Sequence, residues 1–141
     1  MQHIDEKILE RLELEITKTY YTFKRFMSPS TFALLYHDGK LKLEELNGYL
    51  RNSDKFIPID DKHIFINFIF TEQYGATKAA ENLILNLDQH FENNNSYIAI
   101  DKFDAEKTPA AVLDRLQKTL KELKTGSHAR VEDDIIITGI L

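Results

Sequence analysis

Residues 55–70, KFIPIDDKHIFINFIF, decide the fold of this chain. Lys55 to Ile59 and His63 to Phe70 are apolar runs of strand length, and Asp60-Asp61-Lys62 between them is typical of the turn of a β-hairpin. Pro58 has no backbone N–H to give to a neighbouring strand, so the first strand is expected to be short or to lie near the edge of a sheet. These residues predict two antiparallel strands joined by a tight turn.

A helix, a strand and a second helix are expected before the hairpin. Apolar residues recur at helical spacing over residues 3–26, which predicts an amphipathic helix. Met27-Ser28-Pro29-Ser30 ends it, because proline disfavours helix at the residue before it. Thr31 to Tyr36 is long enough for a buried strand, and His37-Asp38-Gly39 is a turn. The leucines and tyrosine of residues 40–52 then predict the second helix.

Two more helices and two more strands are expected after the hairpin. Thr71 is the expected N-cap of a helix, which the apolar spacing continues to Phe91. Ser96 to Ile100 predicts a strand, and Thr108 is expected to cap a helix that has Pro109 in its first position. Val131 to Ile140 predicts a final strand or an apolar tail. The expected ends of the two helices are Asn93-Asn94-Asn95 and Gly126.

The resulting order is a helix followed by β-α-β-β-α-β-α-β. Strands that alternate with helices around one hairpin predict a split βαβ, ferredoxin-like α/β (α+β) sandwich with a central, mostly antiparallel sheet. The 141 residues fit one domain, with an N-terminal helix in residues 1–27 and the sandwich in residues 31–141.

Composition narrows the classes of function. Hydrophobic residues make up 43% and charged residues 29%, as in ordinary globular domains. The net charge of -5 argues against a nucleic-acid polymer as partner, although a local basic pocket for a small nucleotide stays open. The chain has no cysteine, which excludes disulfides, thiolate metal sites and a cysteine nucleophile. No apolar run is long enough for a signal peptide or a membrane span, so we expect a cytoplasmic protein with no membrane partner.

Several segments, in this order, resemble the GGDEF family of diguanylate cyclases, which make cyclic di-GMP from two GTP. The match extends with gaps from Leu9 to Val131, and it implies a nucleotide-cyclase-type fold and a role in bacterial-type signal transduction. The matching segments are Leu12 to Ile16 with Thr31 to Tyr36, Arg51 to Asp54 with Lys55 to Phe70, and Val112 to Arg115 with Lys118, Leu120, Lys124 and Arg130-Val131.

The resemblance fails at the catalytic positions. The five signature positions are Asp60, Asp61, Lys62, His63 and Ile64, so side chains replace both glycines that let a nucleotide approach the hairpin backbone. Lys62 stands where the family has a metal-binding acid, and an ammonium opposes magnesium. The family's metal-binding, phosphate-cradling and guanine-contacting stretch after the first strand is also missing. We therefore predict an inactive, degenerate GGDEF domain, with no catalytic residue, no metal and no cofactor.

One binding motif of the family is retained at its proper spacing, and two lysines resemble basic residues of its last helix. Arg51-Asn52-Ser53-Asp54 matches its Arg-x-x-Asp product-inhibition motif, which implies that Arg51 and Asp54 bind cyclic di-GMP. The alternative is structural: Arg51 favours the end of a helix and Asp54 shapes a turn. Lys118 and Lys124 resemble basic residues of the family's last helix, where Lys118 matches one that touches substrate phosphate. The alternative for both lysines is a solvated helix face.

Four residues near the turns suggest a metal site. In such a fold the first strand lies beside the second strand of the hairpin, so His37, Asp38, Asp61 and His63 could cluster at one end of the sheet. Imidazole and carboxylate groups bind zinc and other transition metals. Their spacing matches no metal motif, and the alternative is that the histidines are exposed in loops.

Two functions follow from these features. The first is a regulatory protein-interaction module, whose partner is an unknown signalling protein or a second copy of the chain. The N-terminal helix could pair with another helix, and Ile135 to Leu141 could add a strand to a partner's sheet, unless both segments pack on the domain's own core. The second function is a cyclic di-GMP receptor that uses Arg51 and Asp54.

Overall fold

The computed structural model describes residues 3–39, 41–92, 96–125 and 131–133. The elements in these residues follow the predicted order. They are α1 (Glu6–Phe26), β1 (Thr31–His37), α2 (Leu43–Tyr49), β2 (Lys55–Pro58), β3 (His63–Phe68), α3 (Gln73–Phe91), β4 (Ser96–Asp101), α4 (Pro109–Thr125) and β5 (Val131–Asp133).

The strands form one sheet in the order β2-β3-β1-β4-β5. The central strand β1 pairs antiparallel with both β3 and β4, and its register with β3 runs from Thr31 opposite Phe68 to Tyr36 opposite His63. β2 pairs antiparallel with β3, and the short β5 runs parallel to β4. The mostly antiparallel sheet and the contact of the first strand with the hairpin's second strand are confirmed. The position of Pro58 on an edge strand is confirmed as well.

Helices cover both faces of the sheet, because successive side chains of a strand point to opposite sides. One face packs on α1 and α4, and its buried strand residues include Phe32, Leu34 and Phe65. The other face packs on α2 and α3, and its strand residues include Ala33 and Leu35. The apolar line of α1 is therefore used inside the domain, as the structural alternative for this helix predicted. No helix in the described ranges is long and apolar enough to cross a membrane.

Capping side chains define where α1 and α4 begin. α1 begins at Glu6 because the carboxylate of Asp5 accepts hydrogen bonds from the backbone N–H groups of Lys7 and Ile8, at 3.2 and 3.4 Å. Thr108 caps α4 as predicted, since its hydroxyl accepts from the N–H of Ala111 at 3.1 Å.

The prediction for Thr71 is wrong, because Glu72 is the N-cap of α3 and the Thr71 hydroxyl donates instead to the carbonyl of Ile69 at 3.1 Å. The second helix is also shorter than predicted, at Leu43–Tyr49. The expected helix ends at Asn93-Asn94-Asn95 and Gly126, and the apolar segment after Asp133, lie outside the described residues.

A buried asparagine on β3 ties α1 to the sheet. Asn67 is fully buried, and its amide nitrogen donates to the carboxylate of Glu15 at 2.8 Å and to the hydroxyl of Thr19 at 2.9 Å. A buried amide nitrogen is costly unless it is bonded in this way, whereas Oδ1 of Asn67 has no partner among the described residues. The two bonds fix how α1 lies over β3.

Replacing Asn67 should destabilise the whole domain. Asn67→Ala removes the donor for Glu15 and Thr19, so we expect the free energy of unfolding in urea to fall by about 1–3 kcal/mol. Asn52→Ala is the matched control, because Asn52 is exposed between α2 and β2 and should change that free energy by less than about 0.5 kcal/mol. Equal stability of the two variants would contradict this role of Asn67.

Candidate functional site

The turn between β2 and β3 is built around the carboxylate of Asp60. One oxygen of Asp60 accepts hydrogen bonds from the backbone N–H groups of Lys62 and His63, both at 2.8 Å. The carbonyl of His63 accepts in return from the N–H groups of Ile59 and Asp60, at 2.8 and 3.3 Å. Aspartate favours turns because it can bond the backbone two residues further on. Among the described residues a positive φ occurs only at Met27, Phe70 and Glu92, so the turn forms without a left-handed residue.

His63 closes this turn from the first position of β3. Its imidazole is 7% exposed, and Nδ1 lies 2.8 and 3.0 Å from the two carboxylate oxygens of Asp60. Burial lowers the pKa of His63 below its usual value, although Asp60 opposes that shift. Burial alone would raise the pKa of Asp60, but the hydrogen bonds from Lys62 and His63 lower it overall. At neutral pH a neutral imidazole therefore donates its Nδ1–H to an ionised carboxylate.

Lys62 joins the turn to the loop after β1. Its ammonium lies 3.3 Å from the carboxylate of Asp38, and the hydrogen bond and charge of Asp38 raise the pKa of Lys62. The backbone adds to this link, because the N–H of His37 donates to the carbonyl of Lys62 at 2.9 Å. The hairpin turn and the β1–α2 loop thus face each other through an ion pair.

These residues do not fit a magnesium ion. Magnesium needs several carboxylate, carbonyl or water oxygens in near-octahedral geometry. The carboxylate of Asp60 is occupied by three N–H groups, and that of Asp38 is paired with the ammonium of Lys62. Within the ranges that the structure describes, no group of three or more histidine, aspartate or glutamate side chains could hold a metal ion.

The structure separates the two histidines of the suggested metal cluster. Tyr36 stands opposite His63, so His37, one residue later on β1, points to the other face of the sheet. There Nδ1 of His37 lies 2.6 Å from the hydroxyl of Ser96, and its ring centroid lies 4.5 Å from that of Phe91. Both histidines are buried, so the alternative of exposed loop histidines is also wrong.

Nε2 of His37 is buried and has no hydrogen-bond partner among the residues that the structure describes. It lies against the backbone of Gly39, where a Cβ would come within 2.9 Å of it. Burial lowers the pKa of His37, while Asp38, Asp88 and Glu45 act in the opposite direction. A neutral imidazole needs only one donor and one acceptor, so it tolerates this setting better than the charged form.

Arg51 and Asp54 bind each other. The guanidinium of Arg51 donates to the Asp54 carboxylate at 3.1 Å, to the carbonyl of Ile69 at 3.2 Å and to the hydroxyl of Thr71. The side chain of Asp54 is 2% exposed, against 57% for Arg51, and it also accepts from the backbone N–H of Arg51 at 3.1 Å. Asp54 thus shapes the turn before β2, as the structural alternative predicted. Arg51 lies beyond the end of α2 and ties this turn to the β3–α3 connection.

Sequence reasoning did not identify a basic groove on α4. We call it the lysine groove and define it by Lys118, Lys121 and Lys124, which line a cavity of about 370 Å³ together with Asp114, Gln117, Thr125, Leu34, Leu120 and His63. Lys118 lies 3.1 Å from Asp114, with both side chains largely exposed. Nζ of Lys124 lies 3.7 Å from the ring centroid of Tyr36. The sequence interpretation covered only Lys118 and Lys124, and the signal that it missed is Lys121, which completes an i, i+3, i+6 spacing.

No protein-family model matches the sequence, and no curated protein is similar to it in sequence. Solved structures do match the fold. The chain is similar to the diguanylate cyclase SiaD of Pseudomonas aeruginosa, solved in complex with its activator SiaC, with a TM-score of 0.70 and 10% sequence identity. That match covers 88% of this chain and 57% of the SiaD chain. The chain is also similar to the isolated GGDEF domain of TpbB (YfiN) from Pseudomonas aeruginosa, with a TM-score of 0.69 and 13% identity over 97% of this chain and 99% of that one. The nucleotide-cyclase-type fold is thus confirmed.

The two buried histidines predict a loss of stability in mild acid. In the unfolded chain a histidine has a pKa of about 6.5, and the pKa values of His37 and His63 are lower in the folded chain. The unfolded state therefore takes up protons first, and the free energy of unfolding should fall between about pH 7.5 and about pH 5.5. The lowered pKa of Asp60 adds a further loss only at more acidic pH.

Urea denaturation at both pH values measures this effect. His37→Asn keeps a polar atom near Ser96 but cannot titrate, so the fall in the free energy of unfolding should be smaller in the variant. His63→Gln should reduce the fall in the same way. The same pH dependence in the wild type and both variants would contradict the assignment.

Proposed function

We propose that this chain is a noncatalytic GGDEF-like signalling domain that acts in the cytoplasm as a regulatory protein-interaction module. The observation that carries the proposal is the ion pair between Lys62 and Asp38 at the hairpin turn. Lys62 stands where the resemblance to GGDEF domains expects a metal-binding acid. The similarity to SiaD and TpbB concerns the fold, and a fold does not fix an activity.

Phosphoryl transfer makes demands that this turn does not meet. The reaction depends on positioning of the phosphates and on metal ions that neutralise charge as it develops. An ammonium at the metal position repels the cation, and the carboxylates of Asp60 and Asp38 are already bonded to nitrogen donors. Side chains at Asp60 and Asp61 also replace the glycines that would let a nucleotide approach the backbone.

The core and the sheet of the domain are consistent with an interaction role. The core and the sheet are intact, so the domain can present a fixed surface. SiaD is a diguanylate cyclase that was solved in complex with an activator protein. We propose that this chain likewise works by binding a signalling protein or a second copy of itself, rather than by turnover.

The absence of cyclase activity is directly testable. With GTP and either Mg²⁺ or Mn²⁺, we expect no cyclic di-GMP above the protein-free blank when the products are separated by ion-exchange chromatography. An active diguanylate cyclase under the same conditions is the positive control. Cyclic di-GMP formation that is lost in Lys62→Ala and Asp60→Ala variants would contradict the proposal.

The alternative, a cyclic di-GMP receptor, depends on Arg51 and Asp54. The exposed part of the Arg51 guanidinium favours it, because an arginine fork can clamp a phosphate or a guanine edge. The buried Asp54 carboxylate weighs against it, because its oxygens already accept from Arg51. A ligand would have to break that pair before Asp54 could accept guanine N–H groups.

Isothermal titration calorimetry separates the two functions. We expect no saturable heat with cyclic di-GMP up to about 100 μM. Arg51→Ala should instead lower the free energy of unfolding by about 1–2 kcal/mol, because it leaves Asp54 without its charged donor. Arg25→Ala is the control, because Arg25 is exposed at the end of α1. Saturable binding that Arg51→Ala removes and Arg25→Ala leaves intact would establish the receptor function.

A further inference from the structure

We propose that the lysine groove on α4 is the surface through which this domain binds its partner, and that the partner presents an acidic protein segment rich in glutamate or aspartate. The proposal rests on the interaction function given above and adds a location and a chemistry to it. It is carried by three lysines on one side of a helix, beside a cavity of about 370 Å³, in a chain whose net charge is -5.

The local charge of the groove is opposite to that of the chain. Its lining holds three lysines against the single carboxylate of Asp114, and the imidazole of His63 is neutral because burial lowers its pKa. Surfaces of opposite potential steer partners together and select against others. On an acidic protein, this basic groove therefore favours an anionic partner.

Stabilisation of the helix dipole does not account for all three lysines of α4. A cation in the last turn of a helix interacts favourably with the helix dipole, which accounts for Lys124. Lys118 lies about two turns from the end of α4, where the dipole has little effect. Lys121 forms no ion pair within the described part of the chain, and Lys118 pairs only with the exposed Asp114. The ammonium groups of Lys118 and Lys121 are thus available to an incoming carboxylate.

The walls of the groove favour a protein segment. Leu34 and Leu120 lie at its base, and Lys124 is held over the ring of Tyr36. A base of leucine with a rim of lysine suits a segment in which acidic residues alternate with apolar ones. Lys118 and Lys124 are about 9 Å apart along the helix axis, so neighbouring carboxylates of one peptide can reach both. Among the described residues, no acidic cluster at the groove could hold the metal ion that accompanies a triphosphate.

Fluorescence anisotropy with a defined probe tests the proposal. The probe is a fluorescein-labelled peptide rich in glutamate and leucine, and its control peptide has glutamine in place of every glutamate. We expect saturable binding of the acidic peptide only, weakened by added salt because the contact is between charges. No saturable binding of the acidic peptide at about 1 mM protein would overturn the proposal.

Matched charge reversals locate the contact. Lys118→Glu with Lys121→Glu should weaken binding of the acidic peptide at least about tenfold, which corresponds to about 1.4 kcal/mol. Lys24→Glu with Lys78→Glu changes the net charge equally, on α1 and α3, and should weaken it by less than about twofold. All four lysines are exposed, so both variants should fold, which circular dichroism confirms. Equal loss in the two variants would overturn the proposal, since it would reflect net charge alone.

Competition and oligomeric state distinguish other occupants. Displacement of the peptide by low concentrations of inorganic triphosphate would assign the groove to a phosphate ligand. Sedimentation velocity detects a dimer of the chain. If the wild type is a dimer and only the groove variant is a monomer, the groove binds a second copy of the chain. Either result would overturn the proposal that the partner is an acidic protein segment. If the groove does not bind the acidic peptide, the proposed lack of catalysis still stands. It is tested separately, by measuring cyclic di-GMP formation from GTP.

Discussion

The pairing of β1 with strands on both sides is the constraint on which the rest of the structure depends. Because β1 is antiparallel to both β3 and β4, its alternating side chains supply both cores of the domain. The same alternation sends Tyr36 toward α4 and His37 toward α3. A single residue step on this strand therefore separates the lysine groove from the buried imidazole of His37.

The proposed lack of catalysis depends on the turn between β2 and β3. In this chain Asp60 stabilises the turn through three N–H donors, and Lys62 stabilises the neighbouring loop through Asp38. A carboxylate that already accepts several N–H donors, or that pairs with an ammonium, has fewer lone pairs left for a magnesium ion. Asp60, Lys62 and Asp38 thus hold the local structure together. These contacts are the basis of the proposal that the domain binds a partner and does not turn over GTP.

The sequence was sufficient for the order of elements, the edge position of β2 and the cap at Thr108, because these depend on local periodicity and on proline and threonine chemistry. It failed at Thr71, where a long-range hydrogen bond from Arg51 uses the hydroxyl that a cap would need. It also failed for the histidines, since burial of His37 and His63 depends on the register of β1 against β3. The lysine groove could not be recognised because it requires α4 to lie beside Tyr36 and His63.

Whether the hairpin turn binds a divalent cation with GTP is the central question, and paramagnetic broadening measures it most directly. Mn²⁺ and GTP would be titrated into ¹⁵N-labelled protein while the backbone amide signals of residues 59–64 are followed. Because the turn is proposed to bind no metal–nucleotide complex, we expect these signals to be broadened no more than those of residues in α3. Selective broadening of the Lys62 and His63 amides at low Mn²⁺, seen only when GTP is present, would contradict it.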